Sequence, residues 1–226
     1  MDINNPLYKN QGIHVVCVLF TVKNGNVKIL LAKRSNKPYV DTWMLPSGAV
    51  YNNEDCETAM SRELIEKTGI SNVYLEQFHV FSNPKRSPLM RMIALCYIGI
   101  IDSDKLKITK KTEKTQDVEW FNLEEVPTEL AYDHKEILLE AIEYIKKKIM
   151  RTNIVKTLLP KHFTLPELQK VYEAILNKKF DRRNFRKKFL KLNLIENVGL
   201  KGENSGHRPA ILYKFINNVE YDSDIF

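Results

Sequence analysis

Residues 48–70 constrain this chain more than any other stretch. They read Gly-Ala-Val-Tyr-Asn-Asn-Glu-Asp-Cys-Glu-Thr-Ala-Met-Ser-Arg-Glu-Leu-Ile-Glu-Lys-Thr-Gly-Ile, a glycine turn followed by a helix-length run and a second glycine. Gly48 permits a close approach or a backbone conformation that a Cβ would obstruct, and Gly69 stands where a helix C-terminus favours a left-handed residue. Between them Ala59, Met60 and Leu64 supply an apolar stripe, while Arg62, Glu63, Glu66 and Lys67 are the polar members. On a helix Glu63, Glu66 and Lys67 fall at i, i+3 and i+4, so their side chains meet on one face.

The surrounding segments read as strands and one further helix. Residues 12–20 are β-branched and almost continuously apolar, as in a strand buried on both faces, and His14 within them reads as a satisfied core histidine rather than a ligand. Asn24-Gly25 makes a hairpin turn into a return strand at 27–32. A loop at 35–42 then leads to Trp43-Met44-Leu45-Pro46. Strands are expected at 73–81, 91–101 and, more briefly, 118–121, with a polar, lysine-rich mobile connection at 103–116. From 134 to 150, Ile137, Leu138, Ala141, Ile142 and Ile145 follow a helical period, and Lys146, Lys147 and Lys148 suit the C-terminal end of the helix dipole.

The glycine-bounded stretch resembles the Nudix box, Gly-x5-Glu-x7-Arg-Glu-U-x-Glu-Glu-x-Gly-U with U apolar. The pattern is met at Gly48, Glu54, Arg62, Glu63, Leu64, Glu66, Gly69 and Ile70. It breaks at Lys67, where the family has the second of its paired glutamates. The resemblance implies an α/β/α sandwich with a mixed sheet. It also implies carboxylates that hold Mg²⁺ against a pyrophosphate, since a hard cation takes oxygen ligands. An ammonium at Lys67 removes one ligand and reverses its charge, so metal-assisted hydrolysis is expected to be weak or absent. Glu54, Arg62, Glu63 and Glu66 remain as a residual box, with Glu63 and Glu66 as the places for a loosely held ion. The same residues also read as a solvated helix face carrying an i, i+4 ion pair.

Charge separates the rest of the chain from this part. Residues 1–150 hold 20 Lys and Arg against 20 Asp and Glu, whereas residues 151–226 hold 15 against 8, so the net +7 resides wholly in the latter. A neutral small-molecule domain at 1–150 joined directly to a polyanion-binding domain at 151–226 accounts for the asymmetry, and so does a basic solvated face. Thr164-Leu165-Pro166-Glu167 is a capping box that starts a helix running to Leu176. Asp181 N-caps a second, at 182–192, whose buried face is Phe185, Phe189 and Leu192. A hairpin of 194–198 and 211–215 follows, its loop carrying Lys201, His207 and Arg208 as a wing.

That order is a winged helix-turn-helix. Its second helix would enter a major groove with Arg182, Arg183 and Asn184, flanked by Arg186 and Lys187, and with Thr164 at the preceding cap. The combination resembles the Nudix-related transcriptional regulators of the NrtR-like group. The resemblance implies a homodimeric repressor that binds a double-stranded DNA operator and releases or grips it when a nucleotide-sugar or sugar phosphate such as ADP-ribose occupies the Nudix-like domain, with genes of NAD or sugar metabolism under its control. Arg34, Trp43, Lys85, Arg86 and Arg91 are the candidate effector contacts. No cofactor is required on this reading, and Mg²⁺ enters only if hydrolysis remains. The alternatives are a Mg²⁺-dependent Nudix hydrolase of ADP-ribose or a related nucleoside diphosphate, and an RNA-binding accessory protein; the latter needs exposed stacking aromatics, which here sit at core periods.

The absence of an apolar run of bilayer length and of a signal-like N-terminus leads to the expectation of a cytoplasmic protein. Cys17, Cys56 and Cys96, odd in number and widely spaced, read as reduced residues.

Overall fold

In the computed structural model, which describes residues 5–7, 9–102, 108–112, 114–200, 210–216 and 225, strand β1 (Gly12–Lys23) is the axis of a mixed sheet. Around it lie β2 (Asn26–Arg34), β3 (Trp43–Met44), β4 (Ser47–Ala49), β5 (Tyr74–Phe81), β6 (Met92–Ile100) and β7 (Thr115–Asn122). The main path runs β3-β2-β1-β6-β5, with β4 added to β1 and β7 to β2. β1 and β6 are parallel, Val15 lying opposite Leu95. The β1–β4, β2–β3, β2–β7 and β5–β6 pairs are antiparallel.

Helix α1 (Cys56–Thr68) packs Ala59, Met60 and Leu64 against Val15, Cys17 and Leu19, the odd-numbered residues of β1. The even-numbered Val16, Val18 and Phe20 are just as buried, so both faces of the strand are covered, as an α/β/α sandwich requires. Asp55 caps the helix by accepting from the Thr58 amide at 2.7 Å, and Gly69 closes it at φ 74° with its N–H on the Ile65 carbonyl. The expected close approach at Gly48 is present, since a Cβ there would overlap the Glu63 carboxyl group. The glycine turn is not: Gly48 lies in β4, paired with Val15. Strands as short as β3 and β4 are invisible to periodicity.

Two other differences have local causes. The strand expected at 118–121 begins at Thr115, whose buried hydroxyl donates to the Lys67 carbonyl at 3.1 Å, so a residue that reads as loop ties a strand to the end of α1. His14 is only half-buried, and the satisfied core histidine is His134, whose Nδ1 accepts from the Leu45 amide at 3.1 Å. Cys17 and Cys96 are buried and Cys56 half-buried, all three as free thiols. The connection at 103–116 falls partly outside the described residues, at 103–107 and 113.

The chain forms two compact units, the second beginning at Glu143 within helix α2 (His134–Arg151) and taking in residues 21–27 as well. In the second, a 3-10 turn (Ile154–Leu158) precedes α3 (Leu165–Leu176), α4 (Arg182–Lys191) and the antiparallel pair β8 (Ile195–Leu200) and β9 (Ile211–Phe215). Its core is aromatic. Tyr172 meets Phe185 and Phe189 at 5.8 and 5.2 Å between ring centroids, Phe185 meets Phe189 at 4.7 Å, and Phe163 meets Phe215 at 5.0 Å. Leu192, expected in this core, is instead the half-buried C-cap of α4, and Phe180 packs on Phe185 from the turn before the helix. Two helices and a hairpin in this order make a winged helix. Among the described residues no helix is long and apolar enough to cross a membrane.

Candidate functional site

Arg62 is the hub of the box. Its guanidinium donates to both oxygens of Glu54 at 2.6 and 2.9 Å, to Glu63 Oε1 at 2.6 Å, to Glu66 at 3.3 Å and to the Ala49 carbonyl at 2.9 Å. The Tyr51 ring lies 3.9 Å beneath it. The hydrogen bonds from Arg62 hold the Glu54 carboxyl down at about 2. Lys114, from the segment before β7, reaches Glu66 and keeps that carboxyl below its ordinary range.

Lys67 completes the cluster from within. Its Nζ donates to the Ser47 carbonyl and lies 3.1 Å from Glu63 Oε2. Glu63 is 3% exposed and Lys67 9%, so the i, i+4 pair is real but the solvated face is not. The small Gly48 allows this: β4 comes close enough for its backbone to receive the ammonium. Burial pushes the Lys67 amine down, against the opposing pull of Glu63.

Three carboxylates are thus matched by three cations. Glu63 Oε2 is buried without a well-formed hydrogen bond, yet the group facing it is an ammonium. No group of three or more His, Cys, Asp or Glu among the described residues is arranged to hold a metal ion. A hard divalent cation needs oxygens free of competing positive charge, so the residues present do not fit Mg²⁺.

The proposed effector contacts divide. Arg34 donates to the Pro38 carbonyl at 2.8 Å and lies 5.1 Å over the Tyr132 ring, which in turn meets Tyr39 edge-on at 4.8 Å. Tyr39 and Tyr132 both sit at left-handed φ, 64° and 57°, an unfavourable conformation for aromatic residues. Arg86 is buried and bound through two hydrogen bonds, at 2.7 and 2.9 Å, to Asp133, next to Tyr132; its charge is already matched. Trp43 turns its ring to Phe121, Arg91 donates to the Ser82 carbonyl, and Lys85 is exposed. Arg34 and Arg86 therefore meet one segment, 132–134; Trp43 touches its edge only through its carbonyl, which accepts from the Ala131 amide at 2.9 Å, and Lys85 and Arg91 do not join them. Tyr39, Tyr132, Asp133 and Lys114 carried no motif signal; only the three-dimensional meeting picks them out.

In the second unit Arg182, Arg183, Asn184, Arg186 and Lys187 are all exposed on α4, held outward by Phe185 and Phe189 underneath. Thr164 is committed to its capping box, its hydroxyl accepting from the Glu167 amide at 3.3 Å while the Glu167 carboxylate takes the Thr164 amide at 2.6 Å. Lys201, His207 and Arg208 lie outside the described residues. The turn into α4 is set by Glu173. It accepts from Gln169 Nε2 at 2.9 Å, the Phe180 amide at 3.0 Å and Lys179 at 3.1 Å.

A Nudix box whose carboxylates are paired with internal cations, followed by a basic winged helix, defines a ligand-sensing regulator of the Nudix class. The family models agree: the NUDIX domain matches residues 11–141 and the NrtR DNA-binding winged helix domain residues 155–215, and the chain belongs to the NrtR family of Nudix-related transcriptional regulators. It is 33% identical over 211 residues to the ADPR responsive transcriptional repressor NtrR of Acinetobacter baylyi, covering 92% of this chain and 83% of the relative. The crystal structure of Shewanella oneidensis NrtR complexed with a 27mer DNA superposes with a TM-score of 0.78 at 28% identity, over 94% of this chain and 98% of that one. The NUDIX domain of the same protein, solved with ADP ribose, matches at a TM-score of 0.58 and 29% identity over 64% of this chain and 94% of that one.

Proposed function

We propose that this chain is a cytoplasmic transcriptional repressor that binds operator DNA through α4 and responds to ADP-ribose held in its Nudix unit. The observation that carries the reading is the exposed run Arg182, Arg183, Asn184, Arg186 and Lys187 on a helix whose other face is locked into an aromatic core. Arg presents a fork that matches guanine or phosphate, and Asn one that matches adenine. In a homodimer, two copies of α4 would read half-sites about one helical turn apart.

The effector site we assign to the Arg34, Tyr39 and Tyr132 group, with Arg86 positioning that segment through Asp133. The half-exposed Tyr39 offers a stacking surface for a base, and Arg34 a cation for a phosphate. With Lys67 standing where the family has a glutamate, the box lacks a carboxylate set for Mg²⁺, and the unit binds its effector without cleaving it. A hydrolase reading has one observation in its favour, the retention of Glu54, Glu63 and Glu66 at box positions. It is supported by the 32% identity over 117 residues to an ADP-ribose pyrophosphatase of Methanocaldococcus jannaschii.

Salt dependence tests the DNA half of the proposal. If about six phosphates are neutralised, log K falls against log salt with a slope of roughly −5. Arg183→Ala is expected to weaken operator binding by about 1–3 kcal/mol and leave ADP-ribose binding intact. A salt-insensitive complex, or loss of both activities with the fold preserved, contradicts the assignment.

A further inference from the structure

The second unit contains a concavity of about 530 Å³, with Lys147, Met150 and Arg151 of α2 on one side and Leu176, Lys178 and Phe180 on the other. Among the described residues no carboxylate lines it. Lys146, also at its rim, is paired with Glu143 at 2.8 Å. Lys147 is exposed and also feels the charge of Glu143, one turn back on α2, whereas Lys178 is exposed with its Nζ 5.4 Å over the Phe180 ring. Among the described residues the three lysines of the hollow outnumber this one carboxylate, and the excess positive charge favours an anion inside it.

The position of the hollow says which anion. Lys178 and Phe180 belong to the turn that runs directly into Asp181, the N-cap of α4, and on to Arg182 and Arg183. A helix that enters a major groove by its first residues brings the preceding turn to the sugar-phosphate strand at the groove's edge. We infer that this hollow seats a stretch of DNA backbone flanking the bases read by α4. Lys147 and Lys178 donate to phosphate oxygens, and Met150, Leu176 and Phe180 pack on deoxyribose. The inference rests on the repressor reading above. Cations near the ends of α2 and α3 also complement helix dipoles, but that role predicts no effect on DNA binding.

The test uses the full chain with Lys147 and Lys178 both replaced by Ala, titrated against a duplex of random sequence and one containing the operator, over a range of salt. Losing two phosphate contacts should flatten the log K against log salt slope by about 2 and weaken both duplexes about equally, by tenfold or more near 0.1 M salt. The operator-to-random ratio stays unchanged. A slope unaltered in the double variant, or altered as much by replacing Lys110 and Lys111 of the first unit with Ala, overturns the inference. AMP binding to the parent chain that disappears in the double variant, with the DNA slope unchanged, would make the hollow a nucleotide site and overturn it as well. No DNA binding by the parent chain overturns the repressor reading and this inference together.

Discussion

Lys67 is the one residue at which the box departs from its pattern. An isolated ammonium taken out of water costs several kcal/mol, and here Glu63 and the Ser47 carbonyl offset that cost. Lys67→Glu restores the fourth carboxylate while leaving two buried acids side by side. The variant is expected to be less stable than the parent without metal and to recover in Mg²⁺. At ten times its Kd the ion would contribute about 1.4 kcal/mol, a rise of roughly 3–5 °C in Tm, whereas the parent should show none. Equal Mg²⁺ responses in a thermal melt would contradict the placement of Lys67 in the metal's position.

The two histidines give a pH dependence at the same scale. Burial, aided by the Arg86 charge, lowers His14 to about 4 and His134 well below its ordinary value. Both folded values lie below the unfolded one, so between about pH 4 and 6.5 the unfolded chain binds more protons and stability falls as pH falls. His14 alone accounts for about 2 kcal/mol after allowance for its partial exposure. Urea midpoints measured at pH 7 and pH 4.5 should differ accordingly, and His14→Gln should reduce the difference; a flat profile would contradict the assignment.

At the scale of elements, the turn between α3 and α4 depends on one acid. Burial disfavours the charge of Glu173, but the Phe180 amide, Gln169 and Lys179 outweigh it and keep the carboxyl low. Glu173→Ala frees the Phe180 amide and loosens the entry to α4. DNA affinity is expected to drop several-fold while ADP-ribose binding is untouched, as calorimetry and anisotropy can measure separately. Unchanged DNA affinity would show that the turn held by Glu173 does not govern how α4 meets DNA. Thr164→Ala should cost about 1 kcal/mol, the ordinary value of a lost N-cap, visible in a urea melt.

Long periodic elements and their caps were legible in the sequence for the same physical reason that these caps matter. Gly69, Thr164 and Asp181 each satisfy helix-end groups locally, so their signals survive without knowledge of the tertiary structure, whereas the N-cap Asp55 was not read. β3 and β4 were not legible because two or three residues carry no period. The box was legible as a spacing, but the burial of Lys67 depends on how near β4 comes, and the Lys114–Glu66 pair joins residues 48 apart in sequence. Leu192 falls outside the core because the helix ends at Lys191 and leaves it as a half-buried C-cap.

For the whole molecule the account requires that ADP-ribose distinguish between states of differing DNA affinity, since a ligand with equal affinity for both shifts nothing. A change of affinity by a factor of 10 corresponds to a coupling of about 1.4 kcal/mol. The most direct test is a titration of the full chain against DNA from upstream of its own and neighbouring genes, with and without ADP-ribose, while the nucleotide is assayed for cleavage. The account predicts specific binding that weakens at least several-fold in ADP-ribose, with the nucleotide recovered intact. Binding indifferent to ADP-ribose, together with its steady hydrolysis in Mg²⁺, would contradict it and make the box a working active site.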